Sequence, residues 1–78
     1  MSFYQKWKTI ECIHYKIKTR STGTPEEFSR RLNISRSTLY EYIEDLEELG
    51  AEIRYSRCLQ TFYYVNDFDI SVGNGRNN

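Results

Sequence analysis

Two segments of helical spacing lie only three residues apart in this chain, and that short join limits the possible folds more than any other feature. The first carries Phe28 and Leu32 one turn apart; the second carries Leu39, Ile43 and Leu46 on one stripe, with Tyr42 and Leu49 flanking it. Between them stand Asn33, Ile34 and Ser35. Asparagine tolerates the left-handed backbone that ends a helix, Ile34 points back to the apolar side, and the Ser35 hydroxyl suits a new helix start. Helices over about 25–32 and about 36–49 are therefore predicted, meeting at a sharp corner.

Thr24-Pro25-Glu26-Glu27 explains where the first of these begins. The threonine hydroxyl can accept from the Glu27 amide, the Glu27 carboxylate can reach back, and proline fits the first helical position. Two helices at a corner cannot cover both of their apolar faces, so a further helix is required. Phe3, Trp7, Ile10, Ile13 and Ile17 recur at steps of three and four and predict it over about 3–19, with Trp7 a core aromatic. Ser21-Thr22-Gly23-Thr24-Pro25 breaks it. After Gly50, a terminating glycine, Ile53 and Tyr55 alternate with polar residues, Ser56 to Gln60 form a loop, and Thr61-Phe62-Tyr63-Tyr64-Val65 is rich in strand formers. A β-hairpin results, with a loop of about four or five residues because no Asn-Gly or Asp-Gly is present. Its second strand alternates Phe62 and Tyr64 with Tyr63 and Val65, so one of the two faces must be partly exposed. Asp67 to Ile70 is expected to pack back on the body, and 71–78, with two glycines and three asparagines, to be a disordered tail. The fold class is thus mostly α with a small β wing: a three-helix helix-turn-helix core and a C-terminal two-stranded antiparallel hairpin, over residues 1–70.

The 78 residues have room for one core, worth roughly 3–5 kcal/mol unless a partner chain adds to it. No apolar run approaches the roughly 18 residues a membrane span needs, and the N-terminus lacks a signal-peptide stretch, so a cytoplasmic protein is expected. Cys12 and Cys58 have neither a CxxC spacing nor the set of histidine partners a zinc site needs, which reads as two free thiols. The net charge of zero hides an asymmetry. Lys6 to Arg36 holds eight basic residues and three acidic ones, whereas Glu41 to Glu52 holds six acidic and none basic. A binding surface responds to that local field.

Projected at 100° per residue, the third helix turns Ser37 and Glu41 outward, with Arg36, Thr38 and Tyr40 at the sides of the same face. These five are the candidate base contacts, because short polar side chains and an arginine at a helix N-terminus suit the major groove of duplex DNA. Ser35, Arg20, Arg30, Arg31, Arg54 and Arg57 are the candidate phosphate contacts, which supply affinity and register. Glu44, Asp45, Glu47 and Glu48 make the far end of the helix repulsive to phosphate, so entry is expected by the N-terminal end. An enzyme is not expected. There is one histidine, no glycine-rich phosphate loop, no metal spacing and no nucleophile beside a base, so no cofactor, metal or small-molecule ligand is implied. His14, at the border of the first apolar stripe, reads as a packed structural histidine.

The stretch Thr24-Pro25-Glu26-Glu27-Phe28, then Leu32 through Tyr40, Leu46-Glu47-Glu48-Leu49-Gly50 and the Tyr63-Tyr64 strand resembles the winged helix-turn-helix module at the N-terminus of DeoR-like bacterial transcription regulators. The resemblance spans about residues 5–66. It implies a prokaryotic or phage DNA-binding protein whose recognition helix carries Arg36, Ser37, Thr38 and Tyr40. That family often has Arg-Arg-Asp where this chain has Tyr40-Glu41-Tyr42, so an acid stands where a base is usual. The expected partner is double-stranded DNA, read by a transcriptional regulator or mobile-element accessory protein. A homodimer is expected, since one such module buries little surface on an operator. The alternative is a winged helix used for protein contact, through the wing aromatics or the acidic third helix.

Overall fold

A computed structural model describes residues 2–70; the expected tail at 71–78 lies outside the described residues. Five elements follow one another: α1 (Phe3–Lys18), α2 (Pro25–Leu32), α3 (Arg36–Glu48), β1 (Ile53–Ser56) and β2 (Thr61–Tyr64). The strands pair antiparallel, with Ile53 opposite Tyr64 and Ser56 opposite Thr61, which leaves a loop over 57–60. The mostly helical architecture with its small hairpin is the one the sequence predicts.

Each helix opens on a hydroxyl. Ser2, Thr24 and Ser35 accept from the backbone N–H of Gln5, Glu27 and Thr38, and the Gln5 and Glu27 side chains reach back to complete capping boxes. Each helix also closes on a left-handed residue: Arg20 (φ 55°), Asn33 (φ 60°) and Gly50 (φ 115°). The residue after each donates to the carbonyl five positions earlier, Ser21 to Lys16, Ile34 to Ser29 and Ala51 to Leu46, which satisfies carbonyls the helix end would orphan. The expected glycine-proline break is therefore not what stops α1. Arg20 ends it, and Gly23 is needed for the approach to α2, where an added Cβ would stand 2.7 Å from Glu27 Oε1.

The core draws Ile10, Ile13 and Ile17 from α1, Phe28 from α2, Leu39, Tyr42, Ile43 and Leu46 from α3, and Ala51, Ile53 and Phe62 from the hairpin region. Leu32, Ile34, Phe68 and Ile70 pack against it, as expected, and Trp7 does so half-buried at its edge. Two apolar residues depart from the expected stripes. Phe3 is 80% exposed because it lies in the first turn of α1, about two turns before the first buried residue. Leu49 is 59% exposed because the turn at Gly50 brings Ala51 into the core in its place.

The link between α1 and α2 is tied to the hairpin through one buried side chain. Thr22 accepts from the Phe62 N–H at 2.9 Å, and its own N–H donates to Thr61 Oγ1 at 3.2 Å. The outer edge of β2 thus meets hydrogen-bonding partners without a third strand. Beyond β2, Asn66 receives the Glu52 N–H and donates to the Gly50 carbonyl, closing the base of the hairpin.

Candidate nucleic-acid interface

Asn33 and Ser35 shape the corner between α2 and α3. The left-handed Asn33 reverses the chain, and the Ser35 hydroxyl, 3.1 Å from the Thr38 amide, starts α3 at once. Of the five residues proposed to face bases, Arg36, Ser37, Tyr40 and Glu41 are exposed. Thr38 is half-buried and engaged at both its amide and its hydroxyl, each bonded to Ser35 Oγ. No other part of the described chain covers the tip. The first-turn amides of Arg36 and Ser37 have no helical carbonyl to bond and point along the helix axis.

Around this tip the structure gathers three of the sequence candidates. A shallow groove at the corner is lined by Glu26, Ser29, Arg30, Asn33, Ile34, Ser35 and Arg36. Arg30 is paired with Glu26 at 3.1 Å, one turn away, but both side chains are largely exposed, so the pair is weak and open to exchange. Arg31 is exposed nearby. The Glu27 carboxylate is held below its ordinary pKa mainly by the Thr24 backbone N–H, and also by Arg31 and Arg30, so it stays an anion inside the capping box.

A second group forms on the outward face of the hairpin. Arg54 and Tyr63 are cross-strand partners, and the Arg20 guanidinium lies over the Tyr63 ring, 5.6 Å from its centre. The left-handed turn at Arg20 is what delivers this side chain to the wing. Arg57 is exposed in the loop. Tyr40 meets the hairpin on its core-facing side: its ring meets Phe62 edge-on, with centres 6.3 Å apart, while 45% of the residue remains exposed. Tyr63 was not among the sequence candidates, because its role depends on Arg20 arriving from a distant loop.

The charge of α3 is opposed to its own dipole. α2 has Glu26 and Glu27 in its first turn and Arg30 and Arg31 in its last, the arrangement that stabilises a helix. α3 has no acidic residue in its first turn, where Arg36 stands, and no basic residue in its last, where Glu47 and Glu48 stand. Each such reversal costs roughly 0.3–1 kcal/mol at an exposed site.

His14 is buried on the far side of α1, within a chain of polar contacts. Its Nδ1 lies 2.6 Å from Tyr64 Oη and its Nε2 lies 3.3 Å from Asp69 Oδ1, while Asp69 Oδ2 accepts from Lys18 at 2.6 Å. A carboxylate only accepts, so Nε2 carries the proton and Nδ1 accepts from the Tyr64 hydroxyl. Both ring nitrogens are thereby occupied, as suits a structural histidine. Cys12 and Cys58 are free and exposed. Among the described residues, no group of three or more His, Cys, Asp or Glu could hold a metal, and no helix is long and apolar enough to cross a membrane.

Three helices, a tight capped corner and an antiparallel hairpin define a winged helix-turn-helix domain. A family model described as an HTH domain matches residues 10–57, from the middle of α1 to the hairpin loop, and the chain belongs to that family. No curated protein and no solved structure matches the chain.

Proposed function

We propose that the protein binds duplex DNA in a sequence-dependent way, as a small regulator, with the N-terminal tip of α3 in the major groove. The observation that carries this is the exposed, capped tip itself, with Arg36, Ser37, Tyr40 and Glu41 open to solvent and the corner groove of Arg30 and Ser35 beside it. The reversed charge of α3 supports it. Arg36 weakens the helix in isolation but meets phosphate or guanine at the groove, and Glu47 and Glu48 keep the other end away from the backbone. On this reading Arg36, Ser37, Tyr40 and Glu41 face base edges, and Thr38 chiefly holds the cap. Arg20, Arg30, Arg31, Ser35, Arg54 and Arg57 meet phosphates, with Arg20 and Arg54 acting from the wing. The corner motif's likeness to DeoR-like regulators supports a role in transcription.

Titration of the chain against random-sequence duplex at several salt concentrations tests the proposal. Affinity is expected to fall linearly with log salt, with a slope of about −0.9 for each phosphate engaged. Negligible affinity at low salt overturns it. Selection from a pool of random duplexes then reads out the sequence preference, and a pool that returns no enriched site removes the sequence-dependent part.

A further inference from the structure

The outward face of α1 carries a pattern that is complementary to itself. Tyr4, Lys8, Glu11 and Tyr15 are separated by steps of four, three and four, the alternation that keeps a seam straight along a helix pair. This stripe lies opposite Ile10, Ile13 and Ile17, so it points away from the core. Tyr4 and Tyr15 are each 68% exposed, and Lys8 and Glu11 are exposed between them. Neither Lys8 nor Glu11 has an ion-pair partner among the described residues; Lys8 only lies over the Tyr4 ring, 5.9 Å from its centre.

We infer that a second copy of this chain docks here, α1 against α1, antiparallel about a two-fold axis between residues 9 and 10. That axis brings residue 4 opposite 15 and residue 8 opposite 11, because each pair sums to the same number. Tyr4 of each copy then meets Tyr15 of the other, and Lys8 of each meets Glu11 of the other. An isologous contact repeats every pairing twice, so two aromatic contacts flank two ion pairs. A parallel arrangement would set Lys8 against Lys8 and Glu11 against Glu11, and repulsion excludes it. The pairing leaves the tip of α3 free in both copies, since α3 packs against the core side of α1, as the Lys6–Asp45 contact at 3.6 Å also shows. It stands whether or not the DNA reading does.

One helix face about 24 Å long buries less than the roughly 800 Å² per partner of a standard interface, so the association is weak. Sedimentation equilibrium of the full chain in reductant, from about 10 μM to about 1 mM, is the experiment. The wild-type chain is expected to associate reversibly to a dimer. K8E turns both ion pairs repulsive and is expected to weaken association more than about tenfold. The double variant K8E/E11K restores the pairing in reverse and is expected to return within about threefold of wild type. Circular dichroism of each variant confirms that the helices are kept. A wild-type chain that stays monomeric throughout overturns the inference, and so does an association that K8E leaves unchanged. A double variant that fails to recover, or a dimer that forms only without reductant through a cysteine, overturns it as well.

Discussion

Arg36 has no partner among the described residues and stands where the dipole of α3 opposes it, so its cost to the fold is uncompensated among them. If it pairs with a base, Arg36→Ala is expected to weaken specific binding by about 1–3 kcal/mol and to relax preference at one base position, while binding to random duplex falls much less. Measuring both affinities by fluorescence anisotropy checks this. An equal loss on both would make Arg36 a phosphate contact. Ser35 was legible in the sequence as a cap because its partner, the Thr38 amide, is local. Thr22 was not, since nothing near it hints that a hydroxyl 40 residues from Phe62 would take that residue's N–H. The same holds for the stacking of Arg20 on Tyr63. Local hydrogen bonds follow from spacing, whereas these contacts exist only after the hairpin has folded against the α1–α2 link.

The three helices share one construction, a hydroxyl at the start and a left-handed residue at the end, yet they fill the left-handed position with arginine, asparagine and glycine. At the corner the position sets the angle between α2 and α3, so its tolerance bears directly on the interface. Asn33→Gly keeps the left-handed conformation accessible and is expected to change stability by less than about 0.5 kcal/mol, whereas Asn33→Ala should cost about 1 kcal/mol or more. Denaturant unfolding of both variants tests the contrast, and equal losses would show that the Asn33 side chain, not its backbone, matters. Element boundaries were legible because caps, proline and glycine mark them: Thr24-Pro25 opens α2 and Gly50 closes α3, as the sequence indicates. Ser2 and Gln5 form the same kind of box as Thr24 and Glu27, and their spacing is the local signal that marks the start of α1. Arg20 carried no such signal, because arginine gives no sign that it will turn left-handed.

At the scale of the molecule, the polar chain through His14 joins the first helix, the second strand and the segment after it, partners 50 or more residues apart in sequence. Periodicity located His14 on α1 but could not supply Tyr64 or Asp69, because neither lies within reach until the fold is complete. Burial holds the His14 pKa below its ordinary 6.5, against the pull of Asp69 in the other direction. The unfolded chain therefore takes up a proton near 6.5 that the folded chain refuses until lower pH, and stability falls as pH drops through that window. Asp69, held low first by its bond from Lys18, adds a further loss only below its ordinary 3.8, and Lys18, raised by the same bond, favours the fold until pH passes 10.5. Since His14 is the chain's single histidine, most of the slope between about pH 8 and 5.5 is expected from it, while Glu27, also held below its ordinary 4.5, adds a loss only as pH falls further. The melting temperature is expected to decline across that range in the wild-type chain. His14→Gln, which keeps a hydrogen-bonding side chain but does not titrate, should melt lower at pH 8 and show a flatter profile. A wild-type profile that is level, or a variant that keeps the same slope, would mean that protonation of this ring is not what loosens the clasp between α1, the wing and the residues that follow it.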